Sequence, residues 1–85
     1  MTNKDKYYEV FSALFEVDKT ELNEDFTFEK REDWDSLIHM SLITDLETAF
    51  DVLFDTDELL NFGSFFNGIK ILEGHGIVMD DSYGE

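Results

Sequence analysis

Three residues with the makings of nucleophilic chemistry fall together in this chain: Asp35, Ser36 and His39. A serine hydroxyl becomes a nucleophile when an imidazole takes its proton and a carboxylate orients that imidazole. The spacing argues against such a use. Residues three apart on one helix rarely aim a ring nitrogen at the hydroxyl, nothing in the sequence suggests an oxyanion hole, and there is no Gly-x-Ser-x-Gly elbow. The chain is therefore not expected to be an enzyme, no residue is assigned a catalytic role, and His39 reads as a partly buried polar residue. Ser36 has a different attraction, because it opens a helical pattern. There its hydroxyl can cap the helix. A phosphodiester is also well tolerated at such a place, where free N–H groups and the helix dipole favour an anion. A second cluster, Asp51, Asp55, Asp57 and Glu58, resembles a calcium loop only in its acidity. Phe54 and Thr56 interrupt it and no Gly supplies the sharp turn, so no dedicated metal site is expected.

The elements that must position Ser36 follow from hydrophobic periodicity. Tyr7, Val10, Phe11, Leu14 and Phe15 form one apolar stripe, predicting a first helix over about residues 3–16 with Thr2 or Asn3 as its cap. From Val17 to Asp35 the chain is polar and acidic. It reads as a long loop with a short helical turn near Glu21–Asp25, pinned to the core by its spaced apolar residues Leu22, Phe26, Phe28 and Trp34, with Phe28 and Trp34 as the chief anchors. A second helix is predicted from Ser36 to Phe50. Its core face carries Leu42, Ile43, Leu46, Ala49 and Phe50, while Leu37, Met40, Ser41, Thr44, Glu47 and Thr48 lie on the other side. Asp55 or Thr56 can cap a brief third helix to Phe62, stopped by Gly63. Ser64 caps a fourth, in which Phe65, Ile69 and Leu72 face inward and Gly68 allows close backbone approach. The expected fold is all-α: a small bundle of three main helices and one short one with a long first loop and no strand pair. The bundle is assigned residues 1–76, and residues 77–85 are expected to fray.

Composition narrows the partners. Eighty-five residues form one small domain, which buries only about 60–65% of the surface its unfolded chain exposes. Nine Phe, three Tyr and one Trp offset that thin margin, and the absence of Cys removes disulfides and thiolate metal sites. Twenty-one acids against six bases give a net charge of −15, which repels nucleic acid and anionic bilayers alike. A protein with a Lys/Arg-rich patch is the natural partner. No apolar run is long enough to span a membrane and the N-terminus has no apolar signal core, so a cytoplasmic monomer without stable membrane association is expected.

At Asp35-Ser36-Leu37 the sequence resembles the acyl carrier protein family. The likeness continues through Leu42-Ile43, Leu46-Glu47 and Ala49-Phe50-Asp51 in the second helix, Asp57-Glu58 in the third and Ile69-x-x-Leu72 in the fourth. It covers about 70 residues, nearly the whole of a single domain of this size. The resemblance implies an acyl-carrier-like bundle in which a phosphopantetheinyl transferase moves 4′-phosphopantetheine from coenzyme A onto Ser36, flanked by Asp35 and Leu37. The arm's thiol would then carry acyl or aminoacyl groups as thioesters between loading and transferring enzymes that present basic patches. The surface those enzymes meet would be Leu37, Met40, Thr44 and Glu47. The sequence departs from the family at Glu32 and Asp33, where Leu and Gly are usual, and at Trp34. Ser41, Thr44 and Thr48 are neutral where carriers for fatty-acid synthesis are often acidic, which points to a specialised biosynthetic pathway beside fatty-acid synthesis itself. The other reading of the same residues is an acidic interaction module with no prosthetic group.

Overall fold

A computed structural model describes residues 2–79. The chain forms α1 (Asn3–Phe15), a 3-10 turn (Lys19–Glu21), α2 (Ser36–Phe50), α3 (Thr56–Asn61) and α4 (Phe65–Gly74). The result is a small all-helical bundle whose four α-helices follow the predicted order. Each start is set locally. The Thr2 hydroxyl accepts from the Asp5 amide while the Asp5 carboxylate accepts from the Thr2 amide, a reciprocal cap that leaves two first-turn donors satisfied. Asp55 and Glu58 repeat this arrangement at α3, and the Ser64 hydroxyl accepts from the Asn67 amide at α4. Two helices end on a residue in the left-handed region, Glu16 for α1 and Asp51 for α2, each with its amide bonded back to the last turn.

The core is an aromatic cluster. Phe11 lies at its centre, with ring centroids 4.9 Å from Tyr7, 5.0 Å from Phe65, 5.8 Å from Phe26 and 5.9 Å from Trp34. Tyr7 is fully buried and its hydroxyl donates to the Phe65 carbonyl at 2.6 Å, so the polar end of this buried ring has a partner. Burial holds the Tyr7 hydroxyl well above the ordinary tyrosine pKa. Gly68 faces the same cluster. A Cβ there would collide with the Tyr7 hydroxyl and the Phe62 ring, so the close approach expected at this glycine is realised.

Four expectations are corrected. The helical turn of the first loop lies at Lys19–Glu21, ahead of the Glu21–Asp25 stretch. The loop is anchored by Leu22, Phe26 and Trp34, whereas Phe28 is 43% exposed. What fixes Phe28 is its backbone: its amide donates to the Gly63 carbonyl and the Phe65 amide to the Phe26 carbonyl, forming a lone antiparallel bridge between Thr27 and Ser64. Ser36 is not the cap of α2, a role taken by Asp35, whose carboxylate accepts from the Ile38 amide at 2.9 Å. Finally, the segment after α4 is held down rather than frayed as far as residue 79. Met79 is buried, the Ile77 amide returns to the Leu72 carbonyl, and the Asn3 side chain donates to the Val78 carbonyl. The rest of the expected fraying, at residues 80–85, lies outside the described residues.

Candidate functional site

Ser36 is the first residue of α2 and is exposed to solvent. Because Asp35 caps the helix, the Ser36 hydroxyl is not needed for that task, and it has no hydrogen-bond partner among the described residues. The amides of a helix's first turn have no partner inside the helix, so the hydroxyl sits at the positive end of the α2 dipole. The Asp35 carboxylate at the cap is the acid that meets that end, and the first turn of α2 itself adds no other.

The loop before Ser36 is organised by two side chains. Arg31 donates twice to the Asp33 carboxylate, at 2.8 Å each, and its guanidinium lies 4.3 Å from the centre of the Phe26 ring. Those hydrogen bonds hold the Asp33 carboxyl below the usual carboxylate range, against a smaller opposing effect of burial. Trp34 is 2% exposed and donates its indole N–H to His39 Nδ1 at 3.0 Å. His39 Nε2 lies 3.0 Å from the Leu59 carbonyl of α3. An indole N–H only donates, so Nδ1 is the acceptor, the ring proton is on Nε2, and Nε2–H donates to Leu59. Both imidazole nitrogens are thus engaged by groups other than Ser36, and Ser36 and His39 do not form a nucleophile–base pair.

Beside Ser36 is a groove of about 350 Å³, lined by Phe28, Ser36, His39, Met40, Leu59, Leu60, Phe62 and Gly63. Its walls come from the first loop, α2 and α3, and most of its lining is apolar. Leu37 and Leu60, at 80% and 78% exposure, add apolar surface near it. The residues read as a partner surface divide into two groups. Leu37 and Met40 are exposed close to Ser36, whereas Thr44 and Glu47 line a separate groove of about 620 Å³ with Thr48, Asp51, Val52 and Leu53. Glu47 is half-buried, and its carboxylate accepts from the Phe54 amide at 3.0 Å, steadying the link between α2 and α3.

Sequence reasoning missed the α3 side of the site. Leu59, Leu60 and Phe62 appeared only as the body of a short helix, and Phe28 as a core anchor. An apolar pair in a six-residue helix, preceded by acids, was the available signal. Among the described residues no group of three His, Cys, Asp or Glu side chains could hold a metal ion, and no helix is long and apolar enough to cross a membrane. Comparison with protein-family models, with curated proteins and with solved structures finds no match for this chain.

Proposed function

We propose that this chain is a carrier protein with an acyl-carrier-like fold, in which Ser36 is the attachment point for 4′-phosphopantetheine and the cargo is an acyl or aminoacyl group. The observation that carries the reading is the exposed, unbonded Ser36 hydroxyl at the start of a helix capped by its neighbour, opening beside an apolar groove. These residues fit the group. The helix start tolerates a phosphodiester, the Asp35 carboxylate is turned to the Ile38 amide, and the groove offers apolar surface to whatever extends from Ser36. Attached there, the prosthetic group would supply the thiol that a chain without Cys lacks, and hold the cargo as a thioester.

The chain's own residues present and steer. Asp35 fixes the backbone from which the hydroxyl projects, Trp34 and His39 fix the loop, and Leu37 and Met40 offer apolar contact to partner enzymes. The high acid content directs the encounter toward basic surfaces, including that of a phosphopantetheinyl transferase. The reading places the protein in the cytoplasm, as a monomer serving a specialised biosynthetic pathway or fatty-acid synthesis, with no catalytic residue of its own. The engagement of both His39 nitrogens supports a carrier over a hydrolase.

Incubation with coenzyme A and a broad-specificity phosphopantetheinyl transferase, followed by intact-mass spectrometry, tests the proposal. The wild type is expected to gain one phosphopantetheinyl group and Ser36→Ala none. Because Asp35 supplies the cap, Ser36→Ala should unfold within about 0.5 kcal/mol of the wild type, so the missing mass is not a folding artefact. An unmodified wild type overturns the reading. The exposed Leu37 and Leu60 favour, as the second reading, an acidic interaction module. Its mark is partner binding that survives Ser36→Ala and weakens steeply with salt.

A further inference from the structure

We infer that Phe62 is a specificity-determining residue: its ring plugs the way from the groove beside Ser36 into the core, and so confines the cargo to compact or polar acyl groups. The inference rests on the carrier reading. A long aliphatic chain left in water is unfavourable in proportion to its apolar area, so a carrier of such chains needs interior room near the attachment point. Of the residues that line the groove, Phe62 alone is buried, at 1% exposure. It follows Asn61 at the end of α3, with the groove on one side of its ring and the core on the other.

On the core side the Phe62 ring is stacked on Phe11, with centroids 6.4 Å apart and planes 16° from parallel, and Phe54 meets it edge-on at 6.1 Å. Gly68 of α4 lies against it so closely that one added Cβ would strike the ring. On the groove side His39 meets it edge-on at 6.1 Å, and His39 is itself hydrogen-bonded to the buried Trp34, so the loop side is shut as well. The ring has no slack in either direction. Phe11 and Gly68 fill the space it would need to swing inward, and an outward swing would carry its buried face into water. What stays open is the groove of about 350 Å³, at the low end of the range for small-molecule sites. Met40, Leu59 and Leu60 give it apolar walls that suit a short or branched acyl group, or an aminoacyl group with its polar end in solvent. A long alkyl chain overruns it.

The test is a chain-length series. A broad-specificity phosphopantetheinyl transferase is given coenzyme A bearing acetyl, butanoyl, octanoyl or tetradecanoyl groups, and intact mass confirms each loaded protein. Denaturant unfolding and the emission of Trp34, the chain's single tryptophan, are then compared. In the wild type the octanoyl and tetradecanoyl forms should unfold alike, within about twofold in the equilibrium constant, because the added methylenes find no interior to enter. Their Trp34 emission should agree, while retention on a phenyl resin should climb with chain length. In Phe62→Ala the way is open, and each methylene that enters should raise the folded-to-unfolded ratio roughly fourfold. A wild type stabilised steadily up to tetradecanoyl overturns the inference and leaves the carrier reading standing. Equal indifference to length in Phe62→Ala shows that Phe62 is not the plug, and overturns it too. If that variant fails to fold, the wild-type series still decides. No mass gain with any of the acyl groups brings down the carrier reading and this inference together.

Discussion

The two ends of this small bundle are held by different forces. Around α1, the first loop and α4, rings pack on rings: Phe11 touches the cluster on every side, and Tyr7, Phe65 and Trp34 are almost completely removed from water. Around α3 there is no fully buried side chain on the helix itself; Leu59 packs partly against the core, buried Phe54 and Phe62 bracket the helix, and two histidines and an asparagine bind it as well. Apolar burial is non-directional and sums over large areas, whereas a hydrogen bond contributes only about 0.5–1.5 kcal/mol net and depends on the protonation of its partners. The first arrangement is held by buried area and the second by a few directed bonds beside the partly buried Leu59. Ser36 lies where they meet, its loop anchored in the aromatic half and its groove closed by the polar-bound helix.

Substitutions can break this contrast at graded cost. Phe11→Ala should have the largest effect, about 3–5 kcal/mol, because it leaves a cavity in the middle of the ring cluster; denaturant unfolding should show loss throughout the bundle, with one cooperative transition. Gly68→Ala should cost about 1–3 kcal/mol through overpacking, since the added methyl displaces Phe62 or the Tyr7 hydroxyl. Tyr7→Phe combined with Gly68→Ala should recover part of that cost, which a double-mutant cycle would measure. The smallest expected effect is at α3. Asp55→Ala removes half of the reciprocal cap and should cost about 1 kcal/mol. Hydrogen exchange should report that loss mainly in the amides of α3, leaving α1 close to wild type. Equal loss of protection in both helices would erase the distinction between a packed half and a bonded one.

The helices were legible because their signals are local. Periodic apolar residues gave α2 its span from Ser36 to Phe50, the pair Asp55-Thr56 marked the start of α3, where the cap proves to be Asp55, and Ser64 marked the start of α4. Local signals were ambiguous where two residues compete for one role. Asp35 and Ser36 are both good caps, and the structure gives the cap to Asp35, which leaves the serine hydroxyl without that task. The loop was harder. Phe26 and Phe28 have the same side chain two residues apart, yet Phe26 is 2% exposed and Phe28, at 43%, lines the groove, a difference that only the tertiary packing decides. The burial of Met79 had no sequence period to announce it, and the neighbouring Val78 carbonyl is held from the far end of the chain by Asn3.

By itself the sequence determined that this is a cysteine-free, strongly acidic helical chain with a serine at the start of its longest helix. Charge, capping preference and a 3.6-residue period are properties of neighbouring residues and survive without a fold. The tertiary structure alone decided that His39 joins Trp34 to Leu59, that Phe28 and Leu60 border a groove at Ser36, and that α3 itself carries no fully buried side chain. Those facts depend on which faces of separate elements meet, and that is set by the summed burial of a whole core rather than by the spacing of residues along the chain.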